Sequence, residues 1–133
     1  DDRTYALAFE RFVEPALRAF QPQLLIIANG LDASQFDPNG RQLLTMAGFN
    51  HLARQARRLA DELCAGRLLV VQEGGYNPAY SAYCLHAATE GFIGRPSSLA
   101  DPLAYMPACE ARSQADIAAL AAALAQVGWH FSA

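Results

Sequence analysis

The sequence of 133 residues predicts an α/β fold, in which an open parallel sheet contains a βαβ unit and is flanked by helices. Two largely apolar runs, residues 24–28 and 67–73, are too short for helices and are typical of strands. Between them lies a long segment in which apolar residues recur at helical spacing. A helix that joins two strands in this way favours a parallel pair with a right-handed crossover.

The segment before the first strand, residues 5–20, repeats apolar residues every three or four positions and predicts an amphipathic helix. Pro15 is expected to kink this helix or to mark the first turn of its second half, because proline lacks a backbone N–H. Residues 24–28 are apolar on both faces, which predicts a strand in the middle of a covered sheet. Residues 29–41, rich in Asn, Gly, Asp and Pro, predict a loop.

The second helix is expected to begin after Thr45 as N-cap and to end near residue 65, with Gly66 as its stop. Its predicted apolar stripe consists of Phe49, Leu52, Ala53, Ala56, Leu59, Ala60 and Leu63. The charged residues of this segment lie mostly between the stripe positions. The helix is therefore expected to pack one face against the sheet.

The third helix is predicted to follow the second strand, with Asn77 as its cap and Pro78 at its first position. A loop is predicted over residues 94–111. A fourth helix is indicated by apolar residues at helical spacing, namely Ile117, Leu120, Ala121, Leu124 and Val127. The sequence shows no internal repeat and no second domain, so residues 1–133 are interpreted as a single domain.

The composition excludes several classes of function. The net charge is −3, and all ten basic residues are arginines scattered along the chain, so no nucleic-acid-binding surface is predicted. The three cysteines are widely spaced and form no CxxC motif, which suits a reducing compartment. No apolar run approaches the length of a membrane span. We therefore expect a soluble, cytoplasmic protein with no membrane partner.

Two polar turns follow the predicted strands, "NGLDAS" after the first and "QEGGYNPAY" after the second. The carboxyl ends of parallel strands meet at one edge of a sheet, so Asp32 and Tyr76 could share a site. A carboxylate there suits a metal ion or a base, and a phenol can donate to a developing oxyanion. The alternatives are that Asp32 serves its own turn and that Tyr76 packs against the neighbouring helix.

The two longer stretches "PQLLIIANGLDASQFDPNGRQLLTMAGF" and "GRLLVVQEGGYNPAY" resemble the C-terminal half of the histone deacetylase and acetylpolyamine amidohydrolase family, closest to its bacterial class II-like members. The resemblance covers roughly residues 3–110 and implies an arginase/deacetylase-like fold. It also implies zinc-dependent hydrolysis of an acetyl-lysine or acetylpolyamine amide. In that reading Asp32 is one of three zinc ligands, Tyr76 polarises the amide carbonyl, and Gly74 and Gly75 line the acyl-lysine tunnel.

The same resemblance assigns Asp37 and Pro38 to loop architecture. It also makes a potassium ion a further candidate cofactor, held by residues outside this chain. The family's Asp-x-His pair and its two adjacent histidines are absent, because His51, His86 and His130 are all isolated. His86 and Glu90 are four apart on a predicted helix, a spacing more typical of a surface pair than of a metal site.

One carboxylate cannot hold a catalytic zinc, so we expect this chain to be the C-terminal portion of an amidohydrolase and to be inactive by itself. An apolar patch exposed where the remaining N-terminal half docks is expected to allow docking or self-association. One alternative is a non-catalytic interaction module of the same family. Another is a nucleotide-binding domain that holds phosphate with Gly74 and Gly75, although no GxGxxG motif or P-loop lysine is present.

Overall fold

The computed structural model describes residues 1–103 and 109–130. A first helical stretch comprises α1 (Asp2–Ala8), a π-helical segment (Phe9–Val13) and α2 (Glu14–Phe20). It is followed by β1 (Leu25–Asn29), α3 (Met46–Cys64), β2 (Leu68–Gln72), α4 (Tyr80–Phe92) and α5 (Glu110–Gln126). The two strands pair in parallel, from Leu25 opposite Leu68 to Asn29 opposite Gln72. The predicted α/β class and the parallel βαβ pair are confirmed.

The predicted effect of Pro15 on the first helix is also confirmed. Pro15 lies in the first turn of α2, directly after the π-helical segment. The proline ring has no N–H to donate to the carbonyl four residues earlier and would clash with it in a regular helix. The wider π turn before Pro15 accommodates this misfit, so the stretch is divided into two helices.

Helix α3 begins and ends where its capping residues predict. The Thr45 hydroxyl accepts a hydrogen bond from the Gly48 N–H at 3.4 Å. The Asp2 carboxylate in turn accepts from the Thr45 N–H at 2.8 Å and from its hydroxyl at 2.6 Å. At the other end Ala65 and Gly66 both have positive φ, a conformation that glycine adopts without strain. Most of the predicted stripe is buried.

The remaining helices follow the prediction less closely. Asn77 does cap α4, since its side-chain oxygen accepts from the Ala79 and Tyr80 N–H groups, but the regular helix begins only at Tyr80. Of the predicted apolar stripe of α5, only Ile117 is fully buried, and Val127 is 71% exposed. The predicted loop 94–111 includes residues 104–108, which lie outside the described residues, and its last two positions belong to α5.

Among the described residues, helices cover only one face of the two-stranded sheet, whereas the sequence predicted that β1 lies in the middle of a covered sheet. Leu25 and Leu68 face α3 and pack into a cluster with three of its residues, Leu59, Ala60 and Cys64. Strand residues alternate between faces, so their neighbours point the other way. Ile26 is 60% exposed, and Leu69 and Val71 are also exposed. We call these three residues the bare sheet face.

Within the described ranges, β1 pairs only with β2, so its second edge carries no partner strand. No helix of the described ranges is long and apolar enough to cross a membrane.

Candidate functional site

The two polar loops that follow β1 and β2 lie side by side at the carboxyl edge of the sheet. The Glu73 N–H donates to the Asn29 carbonyl at 3.2 Å, which continues the parallel ladder by one step. The Leu31 N–H donates to the Gly74 carbonyl at 2.7 Å. These bonds bring Asp32 against Gly74, as the parallel topology predicts.

Asp32 sits in a narrow space between two glycines. A Cβ on Gly74 would lie 2.9 Å from the Asp32 carboxyl carbon, and a Cβ on Gly30 would lie 2.6 Å from its Oδ1. Only glycine at both positions lets the carboxylate occupy this place without a clash. No hydrogen bond from the described residues reaches the carboxylate, although the side chain is partly buried. The alternative that Asp32 serves its own turn through side-chain hydrogen bonds is therefore not supported.

Asp37, five residues later in the same loop, has the opposite environment. It is 7% exposed, and its Oδ1 accepts from the N–H groups of Asn39 at 2.8 Å and Gly40 at 3.1 Å. Its Oδ2 accepts from the Tyr76 N–H at 2.6 Å. Burial raises the pKa of this carboxyl, but the backbone hydrogen bonds outweigh burial and hold the pKa below its ordinary value. Asp37 therefore joins the two loops, in agreement with the predicted architectural role.

Gly40 is a structural requirement of the site that the sequence analysis missed. A Cβ at this position would overlap the backbone carbonyl oxygen of Asp32. The loop folds back on itself at this point, with the Gly40 N–H bound to Asp37 and its Cα against Asp32. The turn sequence "DPNG" is the signal that could have identified it.

The Tyr76 side chain is 55% exposed, so packing against the neighbouring helix, the alternative considered from the sequence, is not favoured. Its position is set through its backbone, since the N–H is bound to Asp37 and the next residue caps α4. Gly75 has φ +138°, and a Cβ there would lie 2.9 Å from that of Leu31. No described hydrogen bond joins the Tyr76 hydroxyl to Asp32. The catalytic role of Tyr76 and the substrate contacts of Gly74 and Gly75 stay predictions.

An apolar cavity of about 570 Å³ lies beside Asp32, between β1, the first helical stretch and α3. Asp32 is its only lining residue that is formally charged at neutral pH. The Tyr5 phenol lines it too, and burial, followed by the negative charge of Asp32, raises the pKa of that phenol. Tyr5 lies within the predicted amphipathic helix, residues 5–20, and nothing local in that pattern indicates that it lies beside the candidate ligand.

The described residues contain no group of three or more His, Cys, Asp or Glu side chains that could hold a metal ion. His86 lies 3.3 Å from Glu90, as the spacing suggested, but Glu90 also accepts hydrogen bonds from the Ser98 N–H and hydroxyl. That pair therefore fixes a surface loop. Asp32, whose carboxylate accepts no hydrogen bond from the described residues, fits one position of a zinc site and cannot fill the other two.

The same carboxylate argues against the nucleotide alternative. A phosphate held at Gly74 would meet the negative charge of Asp32 at close range. The amino end of α4 is also already capped by Asn77.

Residues 1–92 match the family model described as histone deacetylase domain. The chain is 48% identical over 117 residues to Histone deacetylase 8 of Arabidopsis thaliana, covering 87% of this chain and 31% of that protein. It is 41% identical over 99 residues to the Histone deacetylase-like amidohydrolase of Pseudomonas aeruginosa, covering 74% of this chain and 26% of the other.

Two solved structures extend the similarity to the fold. The HDA15 HD domain aligns with a TM-score of 0.63 and 34% identity, covering 73% of this chain and 27% of that one. The histone deacetylase Clr3 aligns with a TM-score of 0.71 and 30% identity, covering 90% of this chain and 19% of the other. The chain thus spans less than a third of the length of each of these relatives.

Proposed function

The chain belongs to the histone deacetylase family, and we propose that it supplies one side of a zinc-dependent site that hydrolyses an acetylated amine. Asp32 would provide one of the metal ligands. The observation that carries this proposal is the Asp32 carboxylate itself, which is held between Gly30 and Gly74 without a hydrogen bond from the described residues. A partly buried charge without partners is costly, so its retention favours a positively charged ligand.

The remaining residues of the site would act around that ligand. Zinc, when bound, polarises a carbonyl and lowers the pKa of a bound water. The Tyr76 hydroxyl would donate to the oxygen of the amide as negative charge develops on it. Gly74 and Gly75, which lack side chains, would let an extended acyl chain approach the backbone closely. The described residues that line the cavity beside Asp32 include no histidine, so the proton transfers would fall to residues outside the described part of the chain.

The relatives' names, histone deacetylase and histone deacetylase-like amidohydrolase, support an acetylated amine as the substrate. We propose an acetylated lysine, or the acetylated polyamine that the sequence resemblance implies, with an amine and acetate as products.

Substitution of Tyr76 by Phe in the protein that carries this chain tests the proposed mechanism. Loss of one oxyanion donor should lower turnover of an acetyl-lysine reporter by roughly 10²–10³ and leave the zinc content unchanged. Tyr83→Phe is the matched control, since Tyr83 is also partly exposed but lies within α4. Full activity in Tyr76→Phe would contradict the assigned role.

A second candidate function, a docking module, is favoured by the bare sheet face. Its three large apolar side chains are exposed in a chain much shorter than its relatives. We propose that further polypeptide of a deacetylase domain covers this face, because such polypeptide accompanies the same region in those relatives.

The docking proposal is tested by Ile26→Glu in the protein that carries this chain, with Val127→Glu as control. Both residues are largely exposed in the described structure, but only Ile26 belongs to the bare sheet face. A large loss of thermal stability in Ile26→Glu alone would support the proposal. Equal stability of the two variants would overturn it, as would an isolated chain that dimerises through this face and becomes monomeric in Ile26→Glu.

A further inference from the structure

We infer that Asp37 is a positioning residue that fixes the placement of Tyr76 across the two loops. This inference rests on the proposed function of Tyr76 and deepens it. The bond that carries it joins the Asp37 Oδ2 to the Tyr76 N–H at 2.6 Å, between residues 39 positions apart. It is a charge-assisted hydrogen bond at a largely buried site, which makes it stronger than an ordinary loop contact.

Tyr76 needs such an anchor because little else holds it. Its ring is mostly exposed and gains little from packing, and the residue before it is Gly75, which leaves the backbone free to rotate. A hydroxyl that must meet one oxygen atom loses effect when it is displaced by about 1 Å. The backbone of the tyrosine therefore has to be fixed from outside its own loop.

The opposite loop is built to provide that anchor. The Asp37 Oδ1 closes a local turn by accepting from the Asn39 and Gly40 N–H groups, which leaves Oδ2 directed at the second loop. A second hydrogen bond between the same two loops supports this anchor, since the Asn77 side-chain amide donates to the Phe36 carbonyl at 2.9 Å. Two successive residues of one loop are thus bound to two successive residues of the other.

This arrangement also connects the two functional side chains. The turn closed by Asp37 contains Gly40, whose backbone lies against the carbonyl of Asp32. The carboxylate of Asp37 is therefore the group that both shapes the loop of the candidate ligand and binds the candidate oxyanion donor. A substitution can separate the bond to Tyr76 from the bonds that close the local turn, because the turn uses only Oδ1 of Asp37 and Tyr76 uses only Oδ2.

Asp37→Asn makes that separation. Asparagine retains the local turn through its carbonyl oxygen and turns an NH₂ group toward the Tyr76 N–H, where a donor cannot replace the lost acceptor. The first measurement is hydrogen exchange in the protein that carries this chain. We expect the Tyr76 amide to exchange at least tenfold faster in Asp37→Asn, while the Asn39 and Gly40 amides keep their protection. Unchanged protection of the Tyr76 amide would overturn the inference.

The second measurement is a double-mutant cycle on turnover with Tyr76→Phe. We expect Asp37→Asn to lower kcat about tenfold in the wild-type background, with KM and zinc content unchanged, and to have no further effect in Tyr76→Phe. If Asp37 had a merely structural role, Asp37→Asn would instead lower kcat by the same factor in the wild-type and Tyr76→Phe backgrounds. Full turnover in Tyr76→Phe alone would contradict the proposed function and this inference with it. A normal loss in Tyr76→Phe with an additive effect of Asp37→Asn would contradict this inference alone.

Discussion

Asp32 and Asp37 belong to one loop and differ only in what surrounds their carboxylates. Asp37 is nearly buried and accepts backbone hydrogen bonds from its own loop and from the next one. Asp32 is partly buried and receives none from the described residues. The comparison teaches that the carboxylate whose oxygens accept backbone hydrogen bonds holds the loop together. The carboxylate that accepts none from the described residues is available to a ligand.

Alanine at the two positions should separate these roles most strongly. Asp37→Ala leaves the N–H groups of Tyr76, Asn39 and Gly40 without their acceptor, which should lower the melting temperature by roughly 5–15 °C. In the zinc-free protein, Asp32→Ala removes a charge that accepts no hydrogen bond from the described residues, so the melting temperature should stay the same or rise slightly. Calorimetry of both variants checks this. An equal fall in melting temperature in both variants would mean that Asp32 and Asp37 stabilise the fold to the same extent, which contradicts the comparison.

Two glycine substitutions sharpen the comparison at a smaller scale. Gly40→Ala forces a Cβ into the Asp32 backbone carbonyl and should lower the free energy of unfolding by about 2–3 kcal/mol. The nearest atoms to a Cβ on Gly74 belong to the Asp32 carboxyl group and not to the backbone, so Gly74→Ala should cost less than about 1 kcal/mol by turning that side chain aside, while lowering zinc affinity by about 10–100-fold. Denaturant unfolding gives the free energy of unfolding, and zinc titration gives the zinc affinity. The account would be contradicted if the same variant, Gly40→Ala or Gly74→Ala, showed the larger loss in both quantities.

The pH dependence of stability should report Asp37 with a definite sign. Its pKa is lowered in the folded state, so its contribution is fully present above the ordinary value of 3.8 and is lost as the pH falls through the lower, folded pKa. The difference in melting temperature between wild type and Asp37→Asn should be constant from about pH 7 to about pH 5 and should shrink below about pH 4. The other carboxylates are common to both proteins and cancel. A difference that grows on acidification would contradict the assignment.

Much of this fold could be predicted because its signals are local. The cap at Thr45, the stop at Gly66, the cap at Asn77 and the division of the first helix at Pro15 each depend on residues within one turn. Parallel topology then brought the two loops to one edge of the sheet. These steps required no knowledge of distant contacts.

The rest depended on contacts between residues far apart in sequence. Nothing local distinguishes Asp37 as the anchor of Tyr76, or shows that a Cβ on Gly40 would meet Asp32. The apolar pattern of β1 indicated two faces that avoid water, but it could not say which polypeptide covers the second one. The structure leaves Ile26 on that face exposed.

The most direct test of the account is the zinc stoichiometry of two conservative variants, Asp32→Asn and Asp37→Asn, purified side by side in the protein that carries this chain. Asparagine keeps the size of each side chain and removes only the charge and one acceptor oxygen. The account predicts that Asp32→Asn loses bound zinc and that Asp37→Asn keeps it. Full zinc in Asp32→Asn, or equal loss in both variants, would contradict the claim that Asp32 alone of the two is a metal ligand.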